Sequence, residues 1–231
     1  EVASSNIPGV ALAVLDDGRV AHSRGFGHDG HGHAVSADTP FPIGSLTKSF
    51  TALLVRQFIE AGRLDADTPV QRVLPWFKVA DAQASSRITV RHLLNQTSGF
   101  SRADGIAPLV AQTQASTMAL ARAMSSTPLN RPVGASYEYS NLNFVLLGAL
   151  LEELSGRPWP QLVQERVFAP LALRHSHTDP AQVAGMTALH RYWFGVPLQQ
   201  GLQALPGMAP AGNLVASAND LARYAAMLLA G

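Results

Sequence analysis

The stretch from Leu142 to Leu154 is apolar on nearly every helical face, and it stops at the pair Ser155-Gly156. A helix that is hydrophobic all round belongs in a protein interior, because it has no polar stripe to turn towards water. The sequence therefore predicts a buried helix here. The chain has 231 residues, of which 47% are hydrophobic and 14% are charged, so it can build a core around such a helix.

Other segments also carry helix signals. Apolar side chains recur at helical spacing from Leu46 to Phe58, and Gly62 follows as a stop signal. Thr89 is a candidate cap for a short helix, and a further helix is predicted over 158–168. The last predicted helix runs from Ser217 to Leu229, with Ser217 as its cap and Asp220 in a capping-box position.

Strand signals concentrate near the start of the chain. Val10–Leu15 and Arg19–Gly27 are extended runs around Asp16-Asp17-Gly18, in which the Asp-Gly pair favours a hairpin turn. After them the sequence indicates only helices and loops. We therefore predict an α/β fold of the α+β type, in one domain over 1–231, with a sheet hairpin and loop over 1–44 and a mostly helical lobe over 45–231. Because two strands alone make a poor sheet, we expect further strands after Gly231 or from a second chain.

Composition excludes several classes of partner. The formal net charge is +1, with 17 basic and 16 acidic residues well mixed along the chain, so a nucleic-acid partner is not expected. No apolar run reaches the roughly 20 residues that span a bilayer. Cysteine is absent, which excludes disulfides and thiolate chemistry. The chain begins at Glu1 without an initiator Met, and we expect that an upstream segment was removed and that the protein is exported, to the periplasm or the exterior.

Ser45 and Lys48 lie three residues apart at the start of the helix predicted from Leu46 to Phe58, and we therefore expect them to share one of its faces. A serine hydroxyl is a poor nucleophile until a neighbouring base takes its proton, and a desolvated lysine can be that base whereas arginine cannot. The chain has only two lysines, Lys48 and Lys78. The alternative is helix capping, with Ser45 accepting the first backbone amides and Lys48 standing in solvent.

Tyr139 and Asn141 lie in a loop that feeds directly into the apolar helix. An isolated tyrosine is most often a core aromatic whose hydroxyl finds a partner. Loops held by rigid elements, however, collect functional side chains. In the functional interpretation, the Tyr139 hydroxyl passes a proton to a leaving group, and the Asn141 amide positions Lys48 and a substrate carbonyl.

Four ordered motifs resemble those of the serine β-lactamase-related family, which contains class C β-lactamases, D,D-carboxypeptidases, D-aminopeptidases and family VIII esterases. The motifs are Phe41-Pro-Ile-Gly-Ser45-Leu-Thr-Lys48, His92-Leu-Leu-Asn-Gln-Thr-Ser-Gly99, Tyr139-Ser-Asn141 and Gly212-Asn-Leu-Val-Ala-Ser-Ala-Asn-Asp-Leu221. The resemblance implies a β-lactamase/transpeptidase-like fold without metal or cofactor. It also implies that Ser45 is the acylated nucleophile, Lys48 its proton acceptor, Tyr139 a general acid or base and Asn141 a supporting residue.

The chain also departs from the family pattern. The third family motif, on a sheet strand that also supplies one oxyanion-hole amide, has no counterpart before Gly231, so the sequence looks like the N-terminal part of the family domain. Asn95-Gln96 stands where relatives often have Thr-His, and we expect it at the rim of a pocket. A second chain or a C-terminal segment is therefore an expected partner, besides a small-molecule or peptide substrate.

Two groups of residues invite other interpretations. His28, His31 and His33 could chelate a metal ion, but their Gly-rich connecting loop favours no metal site. The same holds for His175 and His177, while His92 more simply caps or packs its helix. Residues 190–194 are the best candidate for a loop at a pocket rim. Four large aromatic residues could line an acyl pocket, although such residues more often belong to a core: Trp76, Trp159, Tyr192 and Trp193.

The leading functional hypothesis is a hydrolase that forms an acyl-enzyme at Ser45 with a β-lactam, a D-Ala-D-Ala-type peptide or a small ester. The alternative is a non-catalytic binding or assembly module that retains the fold.

Overall fold

The structure, a computed structural model, describes residues 6–103, 114–201 and 205–230. The chain divides into two compact units, one of residues 1–44, 164–204 and 214–231 and the other of residues 45–163 and 205–213. The single-domain organisation stays a prediction. The described strands are β1 (Gly9–Asp16), β2 (Arg19–Gly27), β3 (Phe41–Pro42), β4 (Leu189–Trp193), β5 (Val196–Gln200) and β6 (Val215–Ala216). The described α-helices are α1 (Thr47–Glu60), α2 (Val70–Val73), α3 (Ala82–Arg87), α4 (Val90–Leu94), α5 (Thr117–Ala123), α6 (Asn141–Ser155), α7 (Trp159–Val163), α8 (Ala209–Gly212) and α9 (Ala218–Ala230).

The predicted N-terminal hairpin is confirmed in the first unit. β1 and β2 pair antiparallel, with an irregularity between Val14 and Leu15. Asp17 and Gly18 form the turn at φ of 46° and 71°, the left-handed conformation that the Asp-Gly signal requires. Helix α9 packs against both strands, and β3 pairs with β6.

A second hairpin corrects the expectation that only helices and loops follow the first. β4 and β5 pair antiparallel from Leu189↔Gln200 to Trp193↔Val196, so residues 190–194 form a strand and its turn rather than a rim loop. Phe194 and Gly195 turn the chain at φ of 47° and 80°. Gly195 and Pro197 are residue types typical of loops, but proline is tolerated where a strand has only one neighbour, and β5 pairs with β4 alone among the described residues.

Helix α9 confirms one part of its predicted cap and corrects the other. The Asp220 backbone N–H donates to Ser217 Oγ at 3.1 Å. The buried Asp220 carboxylate does not complete a capping box, because it accepts instead from the His175 backbone N–H at 2.7 Å and from Ser176 Oγ at 2.9 Å. The helix predicted over 158–168 is α-helical only in α7 and continues as a π-helical turn over Gln164–Phe168.

The apolar helix α6 is the centre of the second unit, as predicted. Residues Leu142 to Leu151 are all buried, and α1, α2, α4, α5, α7 and α8 pack around them. Gly156 ends the helix at φ of 70°, a left-handed cap that glycine adopts without a steric penalty. Among the described residues, no helix has both the length and the apolar character needed to cross a membrane.

Candidate active site

Ser45 lies in a 3₁₀ turn, Gly44–Leu46, immediately before α1, and it is exposed to solvent. The N-cap of α1 is Leu46, and no side chain caps the helix. The capping interpretation of Ser45 is therefore wrong. Its hydroxyl is instead held by two other side chains of the second unit: the Tyr139 hydroxyl lies 2.6 Å away, and Lys48 Nζ donates to Ser45 Oγ at 3.2 Å.

Lys48 is 8% exposed, so the picture of a lysine standing in solvent is also wrong. Besides Ser45, its Nζ atom donates to Asn141 Oδ1 at 2.8 Å and to the Ala211 carbonyl oxygen at 2.6 Å. A protonated lysine has three N–H donors, and these three oxygens take all of them. The rings of Tyr139 and Phe144 lie 4.9 and 5.6 Å from the nitrogen, where their faces favour the cation.

The partners of Lys48 determine where its lone pair points when the amine is neutral. A neutral amine has two N–H donors and one lone pair. The oxygens of Asn141 and Ala211 can only accept, so they take the two N–H groups. Ser45 is the one partner of the three that can also donate, and the lone pair is thereby directed at its hydroxyl. The contacts of Lys48 suit it to accept a proton from Ser45.

The electrostatic setting shifts the pKa of both groups beside Ser45. Burial lowers the pKa of Lys48, and the hydrogen bond and charge interaction with Tyr139 oppose that shift without cancelling it. Burial by itself raises the pKa of Tyr139, but hydrogen bonds with Lys48 and Ser45 and the positive charges of Lys48 and Arg102 outweigh burial and lower it. The lowered pKa of Lys48 makes more of the neutral amine available as a base near neutral pH, and the lowered pKa of Tyr139 makes its hydroxyl a better proton donor.

The structure brings together all four residues that the sequence singled out. Asn141 begins α6, and its Oδ1 also lies 3.3 Å from the Tyr139 hydroxyl. One group was missed. The Ala211 carbonyl on α8 contacts Lys48 although a backbone oxygen carries no side-chain signal; the only hint was that the fourth motif begins at Gly212.

A place at a pocket rim stays a prediction for Asn95, which is exposed, but Gln96 does not lie at such a rim. It is 6% exposed, and its side chain points into a buried network below the Tyr139 segment. His92 caps α4 together with Thr89, as predicted. Trp159 is fully buried, Trp193 is 57% exposed on β4, and Trp76 stacks with the Arg122 guanidinium.

The histidine-rich loop has a structural organiser. Asp29 is buried, and its carboxylate accepts from the backbone N–H groups of His31 and His33 and pairs with the His33 ring at 2.8 Å. Within residues 6–103, 114–201 and 205–230, no cluster of three or more His, Asp or Glu side chains is arranged to hold a metal ion. That the protein works without a metal or cofactor stays a prediction.

Comparison with known proteins identifies the family. The sequence model of the Beta-lactamase family matches residues 1–231. The chain belongs to the β-lactamase family. The resemblance read from the four motifs is confirmed, and so is the β-lactamase/transpeptidase-like α/β fold.

The proteins similar to this chain include penicillin-binding proteins and a carboxypeptidase. Penicillin-binding protein 4 of Amycolatopsis lactamdurans is 34% identical over 97% of this chain and 60% of its own length. The octameric penicillin-binding protein homologue of Pyrococcus abyssi has a TM-score of 0.81 at 27% identity, over 99% of this chain and 54% of that one. The D-alanine carboxypeptidase AmpC of Burkholderia cenocepacia shares the fold, with a TM-score of 0.77 at 24% identity, over 97% of this chain and 60% of that one. The chain thus spans 60% or less of the length of these proteins.

Proposed function

We propose that this protein is a serine hydrolase that forms an acyl-enzyme at Ser45 with a β-lactam, a D-Ala-D-Ala-type peptide or a small ester. One observation carries the proposal: an exposed serine hydroxyl lies between the Tyr139 hydroxyl at 2.6 Å and the amine of a buried lysine at 3.2 Å. A nucleophile within hydrogen-bond reach of a base that is itself oriented by further groups is the arrangement on which covalent catalysis depends.

In the proposed acylation, Ser45 Oγ forms a bond to the substrate carbonyl carbon while its proton passes to the neutral Lys48 amine. The carbonyl electron pair moves onto the oxygen and gives a tetrahedral intermediate. On collapse, the bond to the leaving nitrogen or oxygen breaks, and the leaving group takes the Tyr139 proton. Lys48 then returns its proton to the Tyr139 oxygen, so both groups are restored and the leaving group has gained the proton of Ser45.

Deacylation repeats these steps with water in place of Ser45. The water oxygen bonds to the acyl carbon, its proton enters the Lys48 and Tyr139 pair, and the Ser45 ester bond breaks as Oγ is reprotonated. Asn141 Oδ1 holds Lys48 in place during both acylation and deacylation. We assign the Asn141 amide nitrogen as the donor of a hydrogen bond to the substrate carbonyl.

The substrate range is supported by the relatives. One is a penicillin-binding protein and one solved neighbour is a D-alanine carboxypeptidase, and a penicillin and a D-Ala-D-Ala-type peptide both present an amide carbonyl to a serine nucleophile. We favour a peptidase or esterase over a fast β-lactamase, because no motif in the chain specifies rapid attack by water on the acyl-enzyme.

The test is intact-mass analysis after incubation with a penicillin, followed by peptide mapping. We expect a mass increase equal to that of the penicillin, located on the peptide that contains Ser45. A parallel incubation with a 4-nitrophenyl ester tests for esterase activity, which is measured as the release of nitrophenol. If neither probe acylates Ser45, the proposed function is wrong.

Ser45→Ala distinguishes the enzyme from a binding or assembly module. Because Ser45 is exposed and caps no helix, the substitution should leave the melting temperature and circular dichroism unchanged while abolishing the adduct. Ser49→Ala is the matched control, since Ser49 is also exposed and lies on α1, four residues after Ser45 in the chain. A biological function that persists in Ser45→Ala would instead support the binding module.

We also propose that strands from a C-terminal segment or a second chain complete the sheet, and that the protein is exported. Multi-angle light scattering tests the second-chain branch: a monomer with one cooperative melt would contradict it. Cell fractionation with an antibody against the protein tests export, which recovery in the cytoplasm would contradict.

A further inference from the structure

Gln96 holds the residues on both sides of Tyr139. Its backbone carbonyl accepts from the Glu138 N–H at 2.9 Å, and its side-chain Oε1 accepts from the Ser140 N–H at 2.9 Å. Gln96 itself has a φ of 60°, so the turn after α4 brings its backbone and its side chain to the same segment. One residue therefore fixes the backbone immediately before and after the tyrosine.

Further hydrogen bonds hold the Gln96 side chain in place. Its Oε1 also accepts from Asn143 Nδ2 at 2.5 Å, and Asn143 Oδ1 accepts from Ser98 Oγ at 2.5 Å. Asn143 and Ser98 are fully buried. Hydrogen bonds in such an interior cannot be replaced by water when they are lost, so this network has one stable arrangement.

The same turn holds the start of the loop. Thr97 O accepts from the Gly134 N–H and Gly99 O from the Asn130 N–H, each at 2.8 Å. A side chain at Gly99, where φ is 94°, would clash with the Arg131 carbonyl. The backbone of residues 96–99 thus holds residues 130–140 in place through hydrogen bonds.

We propose that Gln96 is a positioning residue for Tyr139: its side-chain oxygen fixes the backbone position of residues 138–140 and so places the Tyr139 hydroxyl within hydrogen-bond distance of Ser45. The inference rests on the proposed function and extends it to a residue that does not contact Ser45. It follows from distance, because a misplacement of about 1 Å in a catalytic group can cost roughly 100-fold in rate.

The test is Gln96→Met, which keeps the backbone carbonyl and the side-chain volume but removes the Oε1 acceptor. We expect acylation of Ser45 by a penicillin to slow about 10- to 100-fold. Gln83→Met, the same change at an exposed position, should leave the rate within twofold of the parent protein. If Gln96→Met does not fold, Gln96→Asn replaces it, since asparagine tolerates positive φ while its shorter side chain withdraws the oxygen from Ser140.

A double-mutant cycle separates positioning from general stability. If Gln96 acts through Tyr139, adding Gln96→Met to Tyr139→Phe should slow acylation by less than twofold further. Rate losses that multiply would overturn the proposal, and so would an unchanged rate in Gln96→Met. Gln96→Glu, which retains an acceptor oxygen in this place, should recover most of the lost rate.

A readout without turnover keeps this inference distinguishable from the proposed function. Ionisation of Tyr139 can be followed by ultraviolet absorbance at alkaline pH, as the difference between each protein and its Tyr139→Phe counterpart. Displacing Tyr139 from Lys48 and Ser45 removes what lowers its pKa, so its ionisation should move to higher pH in Gln96→Met. An unmoved titration contradicts the positioning role even if Ser45 is never acylated.

Discussion

The Nζ atom of Lys48 lies 2.6 Å from the backbone carbonyl oxygen of Ala211, which is 163 residues further along the chain. This oxygen cannot donate a proton, and it cannot be removed by any change of the Ala211 side chain. It therefore occupies one N–H of the lysine permanently. With Asn141 on the second N–H, the remaining position on the nitrogen is directed at Ser45, whether it carries a proton or a lone pair.

Lys48→Arg should be nearly as damaging to Ser45 acylation as Lys48→Ala. Arginine keeps the positive charge, but it stays protonated at every working pH and so cannot accept the serine proton. The rate of penicillin adduct formation measures the effect, and Lys78→Arg is the control because Lys78 is the other lysine of the chain and is exposed. Comparable rates for Lys48→Arg and the parent protein would remove Lys48 as the base.

The acylation rate should rise with pH as Lys48 loses its proton, and fall again when Tyr139 ionises and no longer has a proton for the leaving group. Because the two groups interact, the apparent pKa values of the rising and falling limbs belong to the pair and not to either residue alone. Tyr139→Phe removes the interactions that raise the Lys48 pKa while burial still lowers it. The rising limb of the residual activity should therefore move to lower pH, and a shift to higher pH would contradict the coupling.

Asn141→Asp should move the rising limb the other way. The aspartate keeps an oxygen acceptor beside Lys48 but adds a negative charge at about 2.8 Å, and a nearby opposite charge favours the protonated amine. Initial acylation rates from mildly acidic to alkaline pH would show the shift. Gln199→Glu, which makes the same amide-to-carboxylate change at an exposed position of β5, is the control and should leave the profile unchanged.

Tyr139 should ionise below the ordinary tyrosine pKa of about 10. The net effect of Lys48, Ser45 and Arg102 lowers its pKa, and Lys48→Ala should reverse much of that shift. The absorbance difference between the parent protein and Tyr139→Phe during alkaline titration isolates this residue from the other three tyrosines of the chain. A Lys48→Ala titration that coincides with the parent titration would argue against a direct interaction.

Gly148→Ala should disturb the site from a distance. A Cβ at Gly148 on α6 would overlap Pro210 Cγ, and it would lie 2.8 Å from Pro210 Cβ and 3.1 Å from Thr117 Cγ2. Proline cannot rotate away, so α8 has to move and carry the Ala211 carbonyl from Lys48. We expect a loss of about 1–3 kcal/mol in the free energy of unfolding by urea, together with slower acylation.

Gly201→Ala is the control for this substitution, because a Cβ there meets no atom within 4 Å. Its unfolding free energy and acylation rate should both stay close to those of the parent protein. Equal stability of Gly148→Ala and Gly201→Ala would show that α8 accommodates the added methyl group without moving.

Local pattern was sufficient for much of this protein. The uniform apolar character of residues 142–154 determined that α6 is buried, because such a helix has no face for water. Asp17-Gly18 determined the first hairpin through the positive φ that its turn needs. The three-residue spacing of Ser45 and Lys48 brought their side chains together, because the 3₁₀ turn that holds Ser45 continues directly into α1.

Tertiary structure alone decided what those residues contact. The Ala211 carbonyl on Lys48 and the Gln96 oxygen below Tyr139 join segments that are far apart in the chain, and neither a backbone oxygen nor a buried amide has a periodicity that the sequence reveals. The β4–β5 hairpin was missed for a related reason: Gly195 and Pro197 are loop signals locally, and only the pairing of β4 with β5 makes Gly195 a hairpin turn and Pro197 the partner of Tyr192. The sequence determined which chemical groups are available, whereas long-range packing decided their distances and hence their pKa values.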